Sequence, residues 1–233
     1  MTDKPLVAVV VFPGSNDDHD AAWALTAVGA RPELVWHEDA QLPPETAAVV
    51  LPGGFSYGDY LRAGAIASLA PVMRAVREFA AGGGPVLGIC NGFQILCEAR
   101  LLPGVLRPNR QLEFVCRDAR VRVENTGSPV LGRCTVGQEL VVPVKHGDGA
   151  WYADEGSFVQ LVARGQIVLR YTEDVNGSFG NVAGVVNEAG NVLGLMPHPE
   201  HAVDPLLGSA DGGLLLAGLV DAAAAHRAAL AAA

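Results

Sequence analysis

The chain has 233 residues, half of them apolar, with a formal net charge of −9. That apolar share suffices for one sizeable core, and a single domain spanning residues 1–233 is expected. No Lys/Arg cluster exceeds two residues, so neither a nucleic-acid nor an anionic-membrane partner has an electrostatic footprint. The apolar run after Lys4 is too short to cross a membrane, and no small-residue cleavage site follows it. A cytoplasmic location is expected. Cysteines stand at 90, 97, 116 and 134, without a C-x-x-C pair or zinc-site spacing. Each is by default a reduced, small buried hydrophobe, and no bound metal is expected.

Residues 6–12 (LVAVVVF) form a continuous apolar, β-branched run, the pattern of a strand buried on both faces. PGSNDDHD then marks a turn and a helix start, with Asn16 or Asp18 as cap, and the helix runs to Gly29. PELVWH (32–37) and AAVVLP (47–52) predict two more strands, followed by a Gly-rich loop over 53–64 and a helical stretch with Pro71 in a first turn. PVLGIC (85–90) is a further short strand. This alternation predicts a mostly parallel, doubly wound α/β sheet with helices on both faces. The middle of the chain changes character. LEFVCRDARVRVEN, LVVPV and the segment from Phe158 to Tyr171 predict antiparallel edge strands with no strong helix between them. Segments 181–187 and 191–197 predict a hairpin around Glu188-Ala189-Gly190, and a final helix starts near Gly213.

The sharpest chemical signal is Gly88-Ile89-Cys90-Asn91-Gly92, a G-x-C-x-G at a strand-to-helix junction. Flanking glycines permit a sharp turn that lifts the sulfur from the carboxyl edge of the sheet. A helix beginning at Asn91 would aim amide N–H groups at that sulfur and favour its thiolate. The bland alternative is a core cysteine in a tight turn; the doubled glycines and the strand-end position argue against it. Gln94, one helical turn on, shares the thiol's face and could bond an amide or carboxylate beside it. Cys97 reads as packing. A cysteine nucleophile needs a base, and the base an orienter. Met196-Pro197-His198-Pro199-Glu200-His201 supplies both after the last apolar strand, with His198 and Glu200 on one side if the segment is extended and His201 exposed on the other. Leu51-Pro52-Gly53-Gly54 would bring glycine amides to the same edge, where with the Asn91 amide they could form an oxyanion hole. Neither a G-x-G-x-x-G at the first turn nor a P-loop motif is present, so no nucleotide site is expected.

Taken in order, the PGG loop, the GICNG elbow and the HPE segment resemble the class I (triad-type, flavodoxin-like) glutamine amidotransferases. FPGSNDDHD, LPGGFSYGDYLRAGAIA, GICNGFQIL with EARLLPG, KHGDGAWYAD and NGSFGNVAGVVNEAGNVLGLMPHPE narrow the resemblance to glutaminase subunits of phosphoribosylformylglycinamidine synthase. The resemblance implies hydrolysis of L-glutamine through a thioester on Cys90, with His198 as base and Glu200 as orienter. It also implies that Gly53, Gly54 and Asn91 belong to the oxyanion hole and that Gln94 binds substrate. Ammonia would pass to a large synthetase subunit, which uses ATP and Mg, with a small third subunit in the complex; the chain itself would carry no cofactor. His201 stands where the resemblance leads one to expect Arg. Two rival enzymes share the elbow: the glutaminase of another synthetase, and a stand-alone γ-glutamyl cysteine hydrolase. A non-catalytic assembly subunit is a third reading, opposed by the intact Cys90, His198 and Glu200.

Overall fold

The computed structural model describes residues 4–232, built on one nine-stranded sheet and one two-stranded sheet. The N-terminal elements are β1 (Leu6–Val11), α1 (Asp18–Ala27), β2 (Arg31–Trp36), β3 (Thr46–Leu51), α2 (Val72–Ala81), β4 (Val86–Ile89) and α3 (Asn91–Glu98). Then come β5 (Val105–Arg107), β6 (Val115–Val123), β7 (Glu139–His146), β8 (Ala150–Tyr152), α4 (Glu155–Ala163) and β9 (Ile167–Tyr171). The last are β10 (Val182–Val186), β11 (Val192–Leu195) and α5 (Gly212–Ala232). The large sheet has the order β2-β1-β3-β4-β11-β10-β9-β6-β7, and β5 pairs with β8.

Strands β2, β1, β3, β4 and β11 are parallel, whereas β10, β9, β6 and β7 continue the sheet antiparallel. The predicted architecture is therefore the observed one, and β10–β11 is the predicted hairpin. Apolar continuity explains the centre: every residue of β3, β4, β10 and β11 is buried. Strands at the rim differ. β6 exposes alternate residues along VCRDARVRV, and β2 leaves Leu34 and Trp36 partly in solvent.

One expectation fails. Phe158–Tyr171 is not strand throughout, because α4 occupies its first part before β9. Asp154 caps that helix, accepting from the Ser157 amide at 3.0 Å and its hydroxyl at 2.6 Å. Leu161 and the half-buried Phe158, three residues apart, then turn to the core together. The β-branched Val159 and Val162, whose intrinsic preference is for strand, are exposed. Cys116 also departs from its default: it is exposed on β6, while Cys90, Cys97 and Cys134 are buried.

Candidate active site

The carboxyl ends of β1, β3, β4 and β11, with the end of β7, converge on one pocket. At its floor Cys90 joins β4 to α3 with φ 49° and ψ −104°, a left-handed conformation that L-residues rarely adopt. Such a turn requires close approach. A Cβ on Gly92 would lie 1.9 Å from the Leu51 carbonyl oxygen, so only glycine lets α3 begin this near β3. The Cys90 amide donates to the Leu195 carbonyl at 2.8 Å, which anchors the elbow to β11. Its thiol faces the Lys145 carbonyl at 3.8 Å.

His198 follows β11 and is fully buried. Its Nδ1 lies 2.6 Å from Glu200 Oε1 and 3.6 Å from Asp17 Oδ2. The segment is not extended as expected: Pro199–His201 forms a 3-10 turn, and that turn, rather than strand alternation, brings Glu200 back beneath the imidazole. The His198 amide donates to the Pro143 carbonyl of β7 at 2.8 Å, and Gly212 of α5 packs so closely on Pro199 that a Cβ would clash with its carbonyl. Burial disfavours a charged His198. Glu200, followed by the charge and hydrogen-bonding capacity of the Cys90 sulfur, outweighs that and raises its pKa to about 10. Nε2 has no aligned hydrogen-bond partner among the described residues and is left to face the sulfur. A thiol, a buried imidazole and a buried carboxylate set on it have the arrangement that a cysteine hydrolase triad requires.

The remaining predicted residues fall around this centre. Gly54 lines the pocket, and Gly53 lies against His198 and Asp17. The Gly53 carbonyl accepts from the amides of Asn16 at 3.1 Å and Asp17 at 3.3 Å. Asn91 begins α3, and its side chain ties the loop after β3 to the elbow: Oδ1 accepts from the Ser56 amide, and Nδ2 donates to Gln94 Oε1 at 2.8 Å. Gln94 lines the pocket, yet its amide is engaged inside the protein, because Nε2 donates to the Asp148 carbonyl at 2.7 Å. Gln94 thus stands in the pocket wall where a substrate contact was expected, with its amide held against the turn after β7.

The cavity measures about 150 Å³, against roughly 300–1,000 Å³ for drug-sized ligand sites. That is room for one small polar molecule beside the sulfur. Three groups that the sequence reading passed over line it: His146, Asp148 and Lys145, from the end of β7 and the following turn. Burial, assisted by the charge on His198, lowers the His146 pKa to about 4, so its ring is neutral. Asn109 holds it by an Nδ1–Oδ1 contact of 3.1 Å. Asp59, across the pocket, is pushed up to about 6 by burial and then by Asp148.

Asp17, His198, Glu200 and His201 place four potential ligand atoms within 4.8 Å of one another. The cation already among them is the Lys145 ammonium, 2.5 Å from Asp17 Oδ1. His201, expected in solvent, is only partly exposed, with Nε2 3.3 Å from Asp17 Oδ1.

Comparison with known proteins agrees with this geometry. The family model for the CobB/CobQ-like glutamine amidotransferase domain matches residues 4–211. Over 206 residues the chain is 57% identical to phosphoribosylformylglycinamidine synthase subunit PurQ of Rubrobacter xylanophilus, covering 88% of this chain and 93% of that protein. The chain belongs to the glutamine amidotransferase family, and within it to the PurQ subunits of phosphoribosylformylglycinamidine synthase. The corresponding subunit of Bradyrhizobium diazoefficiens is 52% identical, with 91% of this chain and 95% of that one covered. Among solved structures, a chain of PurLQS from Thermotoga maritima superposes with a TM-score of 0.86 at 42% identity, covering 94% of this chain and 98% of that chain. Membership in the family sets the reaction to be read into the pocket. Asp17, His146 and Asp148 lie in segments that carry the sequence resemblance, but their part in the site emerges only when β1 and β7 are brought together.

Proposed function

We propose that the chain is the glutaminase subunit of a phosphoribosylformylglycinamidine synthase, releasing ammonia from L-glutamine for a separate synthetase subunit. The observation that carries the chemistry is Cys90, held in a strained elbow in the same pocket as a buried His198–Glu200 pair. Cys90 sulfur attacks the side-chain amide carbon of glutamine. The resulting oxyanion is met by amides of the Gly53-Gly54 loop and of Asn91 at the start of α3, where the helix dipole also favours negative charge. The C–N bond breaks as the His198 imidazolium gives its proton to the leaving nitrogen, forming ammonia and a γ-glutamyl thioester. Water, deprotonated by His198, then hydrolyses the thioester to glutamate.

The synthetase converts formylglycinamide ribonucleotide to the amidine in de novo purine biosynthesis, using ATP and Mg on its own chain. A small third subunit completes the complex, and the setting is the cytoplasm. Phe55 and Phe114 flank the pocket, 45% and 55% exposed with ring centroids 6.4 Å apart, and offer an apolar rim on which the synthetase docks. α5 is long and apolar enough to cross a membrane by length and composition, but Leu215, Leu216, Leu219 and Ala223 are buried in the protein's own core. The small cavity favours one amino acid over a γ-glutamyl peptide, against the stand-alone hydrolase reading.

The test is reconstitution. The purified synthetase should form the amidine from ammonium alone but from glutamine only when this chain is added. Vigorous hydrolysis of γ-glutamyl peptides by the isolated chain, with no capture of the synthetase, would overturn the reading.

A further inference from the structure

A buried carboxylate beside the triad is left without a role. Asp17 stands at the N-cap of α1 and is 3% exposed, yet its side chain makes no cap hydrogen bond. It turns inward instead. Oδ1 takes the Lys145 ammonium at 2.5 Å and faces His201 Nε2 at 3.3 Å, while Oδ2 lies 3.6 Å from His198 Nδ1. A Cβ built on Gly53 would fall 2.3 Å from Asp17 Oδ2 and 2.7 Å from His198 Cε1, so the loop glycine is seated between the two. The Asp17 amide also donates to the Gly53 carbonyl. One residue thus touches the base, the proposed oxyanion loop and the pocket lysine.

We propose that Asp17 is a positioning residue of the glutaminase reaction, a second carboxylate that shares with Glu200 the support of the His198 imidazolium and holds it in register with the Gly53 loop. The inference rests on His198 being the base. Glu200 is the stronger partner at 2.6 Å and dominates the ionisation of His198; Asp17 acts from the longer distance on the same ring nitrogen. Burial opposes a charged Asp17. The hydrogen bond from His201, the charge on His198 and Lys145 outweigh it and keep the carboxylate ionised. The titratable groups facing His198 are therefore Glu200, Asp17, Cys90, His146 and His201, and those facing Asp17 add Lys145, with Asp20 3.9 Å behind His201. Two anions around one imidazolium favour the ion pair of thiolate and imidazolium over the neutral thiol and imidazole, because Asp17 lies beside the ring.

The test is Asp17→Asn, which keeps shape and removes the charge. Glutamine-dependent kcat should fall at least about tenfold with KM within about twofold of wild type. Alkylation of Cys90 by iodoacetamide, followed against pH without glutamine, should show an altered pH profile, because a charge that balances the His198 imidazolium has gone. A merely structural role would not alter that profile. Since Asp17→Asn leaves Lys145 unpaired and could fail to fold, the same two measurements are made on Asp17→Asn/Lys145→Met against Lys145→Met. Unchanged kcat and an unchanged alkylation profile in that pair would overturn the proposal. His198→Ala separates this failure from failure of the triad reading: it should abolish the reactivity near neutrality whether or not Asp17 contributes.

Discussion

The parallel and antiparallel halves of the large sheet contribute to the pocket by different physical routes. In the parallel half the chain leaves each strand at the same carboxyl edge, so β1, β3 and β4 deliver Asp17, Gly53 and Cys90 to one line of loops almost automatically. In the antiparallel half strand ends alternate in direction. There β7, at the far edge of the sheet, returns Lys145, His146 and the turn that bears Asp148 to the pocket, and Phe114, just before β6, joins them. The first half carries Cys90 in its elbow; the second makes the wall. A fold can therefore specify its chemistry with local motifs while leaving its substrate fit to contacts between residues far apart in sequence.

The sharpest way to break this division is Cys90→Ala. Glutamine-dependent synthesis should fall by roughly 10⁵-fold or more, while ammonium-dependent synthesis by the assembled complex continues. Loss of both activities with fold and assembly intact would mean that the elbow does more than supply sulfur. Glu200→Gln should cost less, roughly 10³-fold in kcat, because an orienter can be lost with the base retained. Wild-type activity in that variant would remove Glu200 from the mechanism.

A second comparison concerns backbone packing. Gly92→Ala, in the parallel half, forces a methyl to 1.9 Å from the Leu51 carbonyl oxygen and should destabilise the protein by about 3 kcal/mol. Gly137→Ala, before β7, meets nothing within 4 Å and pays only for its φ of +84°, about 1 kcal/mol. Urea denaturation of the two variants measures the difference, and equal losses would show that the elbow relaxes more freely than its contacts imply.

The same division explains what was legible in the sequence. LVAVVV and VLGI announce strands because both faces are covered, and G-x-C-x-G announces an elbow because its geometry is local. The helix α4 was hidden because Val159 and Val162 carry strand propensity while facing solvent, and only Leu161 and Phe158 turn inward. His198 and Glu200 do lie together, but a 3-10 turn does what extended backbone was expected to do. Nothing local marks out Asp17, which stands between two residues, Asn16 and Asp18, that the sequence offers as helix caps. Only the folded chain, with Lys145 and His201 set against it, turns that carboxylate to the base.

The smallest expected effect lies where the two halves face each other. Asp59, from the loop after β3, and Asp148, from the turn after β7, line the cavity, and if the substrate is glutamine its α-ammonium is the group their charge suits. Asp59→Asn should raise the glutamine KM about tenfold at pH 8 with little change in kcat. The pH dependence carries the sign. Burial, then Asp148, raises Asp59 to about 6, so in the folded protein it is protonated over a range where an ordinary aspartate is charged. As pH falls through 6 the wild-type pocket loses a negative charge and KM should rise, whereas Asp59→Asn should show a high KM with no such inflection. Stability moves the other way. A raised carboxylate pKa destabilises the fold above that pKa and ceases to do so below the unfolded value. At pH 8 Asp59→Asn should therefore gain stability, roughly 1 kcal/mol once its partial exposure is discounted. An unchanged KM together with the gain in stability would leave the acidic pair facing something other than substrate. A raised KM without the gain would mean that Asp59 is better solvated at the pocket mouth than its burial implies.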